Sequence, residues 1–439
     1  MFRTPDARFT RRTNSFAPHL AVRTHHPART RPTTTRLAIV STYAPRRCGI
    51  ATFSEDLRSA LAQVAPDLAV SVYAVDRDRL DHPDEVDMAI RTDSVDDYRI
   101  AARHMAASDV DAVLIQHEYG IFGGADGAHV LILAEELTRL GVPYLVTLHT
   151  VLSEPSPGQA ATLAALCANA AAVTVFSPTA LRFMAGNGLL TDHPVVVPHG
   201  APEALLNPGR SAVDSPVLAR VLAESAGRRV VSTFGLIGPG KGIENAIDAI
   251  ADVARREPDV RYIVAGATHP EQVRQHGERY RLELQHRVAS LGLTDHVRFV
   301  DDFLSEADLA ALLHRTEVYL TPYHNREQIS SGTLTFAIAA GCAIVSTDYH
   351  YAKDMVTPEM GAVVAVDDPA AIAAGLSRLL DDATVLRRAR AAAARVGERL
   401  SWPAVAGQVL ALVRTVAGVV TPGPVPVPAA PVGSAPLDR

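Results

Sequence analysis

Short apolar runs alternate with helical stretches through most of this 439-residue chain, and the alternation occurs twice. The first series is Leu37 to Thr42, Ala69 to Val75, Ala112 to Gln116, Pro143 to Leu148, Ala172 to Phe176 and Pro194 to Val197, with helical patterns such as Thr52 to Val64 and Gly127 to Leu140 between. A weakly patterned stretch, Ala201 to Ser215, follows. The second series is Arg229 to Phe234, Val260 to Ala265, Val297 to Val300, Val318 to Thr321 and Ala343 to Thr347, with helices at Ile243 to Glu257, Glu271 to Leu291 and Glu306 to Arg315. Strands written as continuous apolar runs are buried on both faces, and a helix after each strand covers those faces. The pattern predicts an α/β chain of two doubly wound parallel sheets, residues 37–205 and 228–400.

Bulk properties narrow the class. With 48% hydrophobic and 21% charged residues the chain can bury two sizeable cores. The net charge is −6, but residues 1–36 hold eight Arg and one Asp, so the remainder carries −13. An acidic body argues against nucleic acid as principal partner. Cys48, Cys167 and Cys342 are far apart and odd in number, which implies a reducing compartment and no cysteine metal site. No apolar run reaches the ~20 residues of a spanning helix, and the expectation is a cytoplasmic protein. Residues 1–36 read as a disordered basic arm and 421–439, with six prolines, as a disordered tail. The arm leaves a transit peptide, or peripheral contact with acidic lipid, open.

Ligands of such sheets lie beyond the carboxyl ends of the strands. There the chain places Arg47 and Gly49 after the first strand, His117, Glu118 and Tyr119 after the third, His149 after the next, and His199 after the last of the first half. Three histidines at strand ends suggest a ligand cleft, although each alone also reads as a structural histidine. The second half opens with Gly235-Leu236-Ile237-Gly238-Pro239-Gly240-Lys241-Gly242 between strand and helix. Its glycines permit close backbone approach and Lys241 is a point charge for phosphate. The spacing nearly matches G-x-x-x-x-G-K-[ST], but Gly242 has no hydroxyl for Mg²⁺. A P-loop NTPase and a purely structural turn remain as rival readings.

From Leu320 to Thr347 the order is strand, loop, helix, strand. Ser330, Ser331, Gly332 and Thr333 open the helix, and their free N–H groups with the positive end of the helix dipole form a seat for phosphate. Glu327 and Gln328 stand just before it, suited to hydroxyls on whatever the phosphate carries. An ordinary capped helix is the alternative.

With both segments in hand the chain, over about residues 37–418, resembles the retaining glycosyltransferases of family 4, of GT-B fold. The resemblance rests on G-x-x-x-x-x-K-G at Gly235 to Gly242, on the strand-loop-helix around Glu327 to Gly341, and on the glycine turn after the first strand. It implies two Rossmann-like domains facing a central cleft. The second would hold a UDP-, GDP- or ADP-sugar and the first a carbohydrate or glycosylated acceptor, with a helix near 401–420 crossing back. It implies catalytic Lys241, Glu327, His149 and Glu118. Gly235, Gly240, Gln328, Ser330, Ser331, Gly332, Thr333 and Gly49 would bind the donor, and His117, Tyr119, His199 and Arg47 would line the acceptor side. No metal or cofactor is called for beyond the nucleotide sugar. Two positions depart from the family pattern. Leu236 stands where an Arg is common, and Phe336 or Thr335 where a second Glu usually meets the ribose. A binding module without turnover and a sugar-nucleotide epimerase are further alternatives.

Overall fold

In the computed structural model, residues 34–189, 191, 194–209 and 213–418 are described. The basic arm up to residue 33 and the proline-rich tail lie outside them. The first lobe is a seven-stranded parallel sheet: β1 (Thr35–Ser41), β2 (Leu68–Asp76), β3 (Val86–Arg91), β4 (Ala112–His117), β5 (Tyr144–Leu148), β6 (Ala172–Val175) and β7 (Pro194–Val196), in the order β3-β2-β1-β4-β5-β6-β7. The second is a six-stranded parallel sheet: β8 (Arg229–Phe234), β9 (Val260–Ala265), β10 (Val297–Val300), β11 (Val318–Thr321), β12 (Ala343–Thr347) and β13 (Gly361–Val364), in the order β10-β9-β8-β11-β12-β13. β4, β5, β9, β11 and β12 are buried along their whole length, which is why they read as mainly apolar runs, Arg261 in β9 and Gln116 and His117 in β4 being buried polar exceptions.

Two strands escape the sequence pattern. β3 and β13 are edge strands, each paired on one side only, and β3 alternates half-buried Val86 and Met88 and buried Ile90 with exposed Asp87, Ala89 and Arg91. A single helix over Glu271 to Leu291 is also not formed. Gly277 takes φ 61° and divides it into Pro270–His276 and Arg279–Ser290.

In each sheet the strand order reverses beside its first strand, between β1 and β4 and between β8 and β11. Crevices open at such reversals, at the carboxyl ends of the strands. The ends of β1 and β4 and of β8 and β11 are where the chain carries its unusual loops. After the second sheet the chain returns to the first lobe. Ala201 N–H donates to Leu400 O and Trp402 N–H to Ala201 O, at 2.6 and 2.9 Å. The helix Trp402–Val416 then packs on the helix Gly49–Val64, with Trp402 Nε1 donating to Asp56 at 3.0 Å and Arg414 paired with Asp67 at 3.0 Å. One buried cluster runs from Leu57 and Leu61 through Trp402, Val409 and Val413 to Leu334 and Ile338, so the lobes share a core. Among the described residues no helix is long and apolar enough to cross a membrane.

Candidate active site

Between the lobes lies a cavity of about 880 Å³, lined from one side by Gly49, Phe53, Glu118, His149 and His199 and from the other by Gly235, Lys241, Gln328, Ser330, Gly332 and Thr333. On the second lobe the helix Gly332–Ala339 begins at Ser331, whose Oγ accepts from Leu334 N–H at 3.3 Å. The first-turn amides of a helix have no acceptor within it, and Gly332 and Thr333 of that turn line the cavity. Across the loop after β8, Lys241 Nζ lies 4.0 Å from the ring centroid of Tyr323, whose hydroxyl is 2.8 Å from Thr333 Oγ1. Lys241 and the helix mouth therefore meet through one tyrosine. Lys241, Gly332 and Thr333 line the same cavity, and an ammonium beside the start of a helix is a combination suited to an anion such as pyrophosphate.

The Lys241 turn also explains why the Walker-like spacing ends in glycine. Gly242 has φ 59°, and a Cβ there would stand 2.0 Å from Pro322 O. A Ser or Thr has no room. No group of three or more His, Cys, Asp or Glu suited to a metal occurs among the described residues.

The opposite wall is aromatic. Phe53 stands edge-on to His149, His199 and Trp402 with ring centroids 5.0, 5.0 and 5.1 Å apart. Burial lowers the pKa of His149 to about 3, helped by the neighbouring His199 and His117, and lowers His199 to about 4 against the bond it makes to Gly200 O. Both are neutral at ordinary pH. His149 Nε2 is 2.9 Å from Gln116 Oε1, so this nitrogen carries the proton. His199 Nδ1 donates to Gly200 O at 2.7 Å, and its Nε2 faces Gly332, where a Cβ would come within 3.0 Å of it. Burial raises the Glu118 carboxyl above the ordinary range, although Thr150 Oγ1 and Tyr119 N–H both donate to it.

Not every residue singled out in the sequence reaches the cavity. His117 is fully buried behind it, stacked on Phe122, and neither ring nitrogen has a hydrogen-bond partner; burial lowers its pKa to about 3. Only two of the three strand-end histidines therefore face the crevice, because β4 ends one residue later than the apolar run and keeps His117 inside the sheet. Tyr119 turns its hydroxyl to Gln159 O. Arg47 lies over Phe303, 5.4 Å from the ring centroid, while the neighbouring Arg46 lines the cavity and pairs with Asp78. Glu327 is turned from the cavity to the first lobe: Ser153 N–H and Oγ donate to its two oxygens at 2.8 and 2.9 Å, and His350 lies 3.6 Å away. Burial pushes its carboxyl up, but the Ser153 bonds and the charge of His350 outweigh it and hold it below the ordinary range. Gln328 does line the cavity. Neither candidate for a second Glu supplies an acid. Phe336 packs on Phe234 and His199, and Thr335 Oγ1 is bound to Tyr351 and Ser331 O.

Other cavity residues carried no distinctive sequence signal. Phe53 and Asp56 sit on an unremarkable amphipathic helix. Tyr323, two residues beyond β11, lies beneath Lys241 and is not among the residues singled out in the sequence.

The two facing Rossmann-like sheets and the shared cleft define the GT-B class of glycosyltransferase folds. Residues 215–396, within the second lobe, match the family of glycosyl transferases group 1. The phosphatidyl-myo-inositol mannosyltransferase of Mycobacterium tuberculosis is 30% identical over 185 residues, 41% of this chain and 45% of that protein. A lipopolysaccharide core biosynthesis mannosyltransferase of Rhizobium meliloti is 28% identical over 176 residues, 39% of this chain and 47% of its own. The match thus spans less than half the length of these relatives. Among solved structures, Anabaena HepE in complex with UDP superposes with a TM-score of 0.68 at 15% identity, covering 87% of this chain and all of that one. A sucrose-phosphate synthase from Thermosynechococcus elongatus gives 0.67 at 16%, covering 88% of this chain and all of its own.

Proposed function

We propose that the protein is a glycosyltransferase that moves a hexosyl group from a nucleotide-diphosphate sugar to an acceptor hydroxyl, with retention at the anomeric carbon. The observation that carries this reading is that Lys241 and the helix-opening residues Gly332 and Thr333 line one cavity and are joined through Tyr323, opposite a wall built by the other lobe. The group 1 family match of that lobe, and the mannosyltransferase and UDP-bound likenesses, support it.

Breaking the bond from C1 to the diphosphate leaves an oxocarbenium-like sugar while the pyrophosphate gains negative charge. Donors held in place before reaction lower that barrier without reorganising. Lys241 and the helix amides take this role, with no metal needed for charge. The neutral His149, its Nε2 proton engaged by Gln116, leaves Nδ1 to accept from a hydroxyl of the transferred sugar without adding charge. Glu118 orients the acceptor hydroxyl, and the leaving phosphate takes the acceptor proton. The cross-lobe cavity keeps water from the donor. The donor site lies in the cytoplasm under this reading.

Thermal-shift screening of UDP-, GDP- and ADP-hexoses identifies the donor, and proton NMR of the product reads the anomeric configuration. Stabilisation by none of the three sets, or an inverted product, would sink the proposal.

A further inference from the structure

We infer that Tyr323 is a positioning residue for the donor site, the platform that holds Lys241 against the mouth of the Gly332 helix. It rests on the donor-site reading above. Only two of the chain's 42 basic residues are lysines, Lys241 and Lys353. A chain that otherwise builds its positive charge from arginine keeps a compact ammonium in the cavity wall, and that ammonium is placed by a ring rather than by an acid. Lys241 Nζ lies 4.0 Å from the Tyr323 centroid, well inside cation–π range. The acid nearest in sequence, Glu244, is engaged by Tyr280 and His324.

The ring is fixed on its other sides. Tyr323 is 1% exposed, Tyr349 stacks on it with centroids 5.4 Å apart and planes 21° apart, and Thr347 Oγ1 donates to its backbone carbonyl at 2.7 Å. Its hydroxyl shares a hydrogen bond with Thr333 Oγ1 at 2.8 Å, and Thr333 Oγ1 is 3.2 Å from Ser331 Oγ, the helix cap. One buried side chain therefore spans both halves of the anion seat. The physical gain over a carboxylate partner is specific. A carboxylate would neutralise Lys241 and repel the pyrophosphate, whereas a ring face attracts the ammonium and leaves its charge available to the ligand. A flexible four-carbon stem held in one place also loses less freedom when the anion arrives.

With two lysines, ¹³C-lysine labelling gives two side-chain spin systems, and Lys353→Arg assigns the one that remains to Lys241. Its ε-methylene protons are expected upfield of an ordinary lysine, shielded by the ring, both in the unsubstituted protein and in Tyr323→Phe. In Tyr323→Leu they return to the ordinary position. Isothermal titration with inorganic pyrophosphate is expected to weaken about tenfold in Tyr323→Leu and to change by less than about threefold in Tyr323→Phe, which loses only the hydroxyl bond. In a Lys241→Met background, Tyr323→Leu should cost little more. An unshielded Lys241 in the unsubstituted protein, or a leucine penalty undiminished in the Lys241→Met background, would overturn the inference. The shielding is read without a cavity-forming variant, so instability of Tyr323→Leu leaves the test standing. A shielded Lys241 in a protein that binds neither pyrophosphate nor UDP, GDP or ADP would instead overturn the donor-site reading.

Discussion

Lys241 supplies the only full positive charge from the β8 loop, since Leu236 fills the position where an arginine would give a second. Lys241→Met should therefore lower kcat/KM for the nucleotide sugar by about 10²–10³-fold, the range seen for loss of a preplaced donor to developing charge. Thermal stability should be nearly unchanged, because the side chain lies on the cavity wall. Steady-state kinetics beside a melting curve decide it, and near-normal turnover removes Lys241 from the mechanism. The buried histidines make a separate prediction. His117 and His149 have folded pKa values of about 3 and His199 about 4, below the ordinary 6.5, so the unfolded chain takes up these protons first. Their contribution to stability is complete above about pH 6.5 and is lost as the pH falls towards 3 to 4. Urea midpoints should drop between pH 7.5 and pH 5. His117→Phe should shrink that drop, since both His117 ring nitrogens are already unpartnered and the ring already stacks on Phe122. An equal drop in the variant would exonerate His117.

The loop after β8 and the loop after β11 are built against each other. Gly242 at φ 59° lets the backbone pass within reach of Pro322 O, and His324 N–H donates to Gly240 O at 3.3 Å. Gly242→Ala forces a Cβ into the Pro322 carbonyl and a left-handed conformation on a residue with a side chain. A loss of about 1–3 kcal/mol in urea unfolding is expected, together with weaker pyrophosphate binding as Lys241 shifts off Tyr323. Wild-type stability and binding in the alanine variant would show that the loops tolerate separation.

Across the molecule, two carboxylates of the second lobe clasp the first. Glu327 takes both donors of Ser153, and Asp354 takes Thr179 N–H and Oγ1 at 2.8 Å each, at the start of the helix Pro178–Gly186; Ser330 Oγ reaches His149 O at 3.1 Å. These contacts exist only while the lobes are together. Asp354→Ala should cost roughly 1.5–3 kcal/mol of closure, visible as a larger radius of gyration in solution scattering and a higher donor KM. Unchanged scattering would mean the shared core alone sets the lobe spacing. The return helix carries its own pH signature. Burial raises Asp56 to about 7, against the lowering bond from Trp402, with the charges of Glu306 and Glu55 adding to the rise. The folded state thus holds this proton above the ordinary 3.8, and the stability it contributes is lost as the pH rises through 7. Asp56→Asn still accepts from Trp402, so its urea midpoint should gain on the unsubstituted protein between pH 5 and pH 8; a constant difference refutes the assignment.

Both sheets and their parallel order were legible in the chain because fully buried strands must be apolar on both faces and because a helix after each strand fixes the crossover. β3 and β13 were not: both are short, with most positions half-buried or exposed, so neither needs a continuous apolar run. Of the residues singled out at strand ends, His149, His199 and Glu118 line the cavity, and so do Lys241 from the glycine-lysine spacing and Gly332 and Thr333 from the helix opening, because the backbone rule that places ligands there is independent of side-chain detail. His117 is kept out by one residue of strand length, and Glu327, expected beside the helix opening, turns to Ser153 instead. Which strand-end side chains face the cleft, which acids serve as clasps, and that Tyr323 lies beneath Lys241 depend on how two sheets far apart in sequence are set face to face. That setting is fixed by long-range packing through Trp402 and Phe53, for which local sequence periodicity carries no signal.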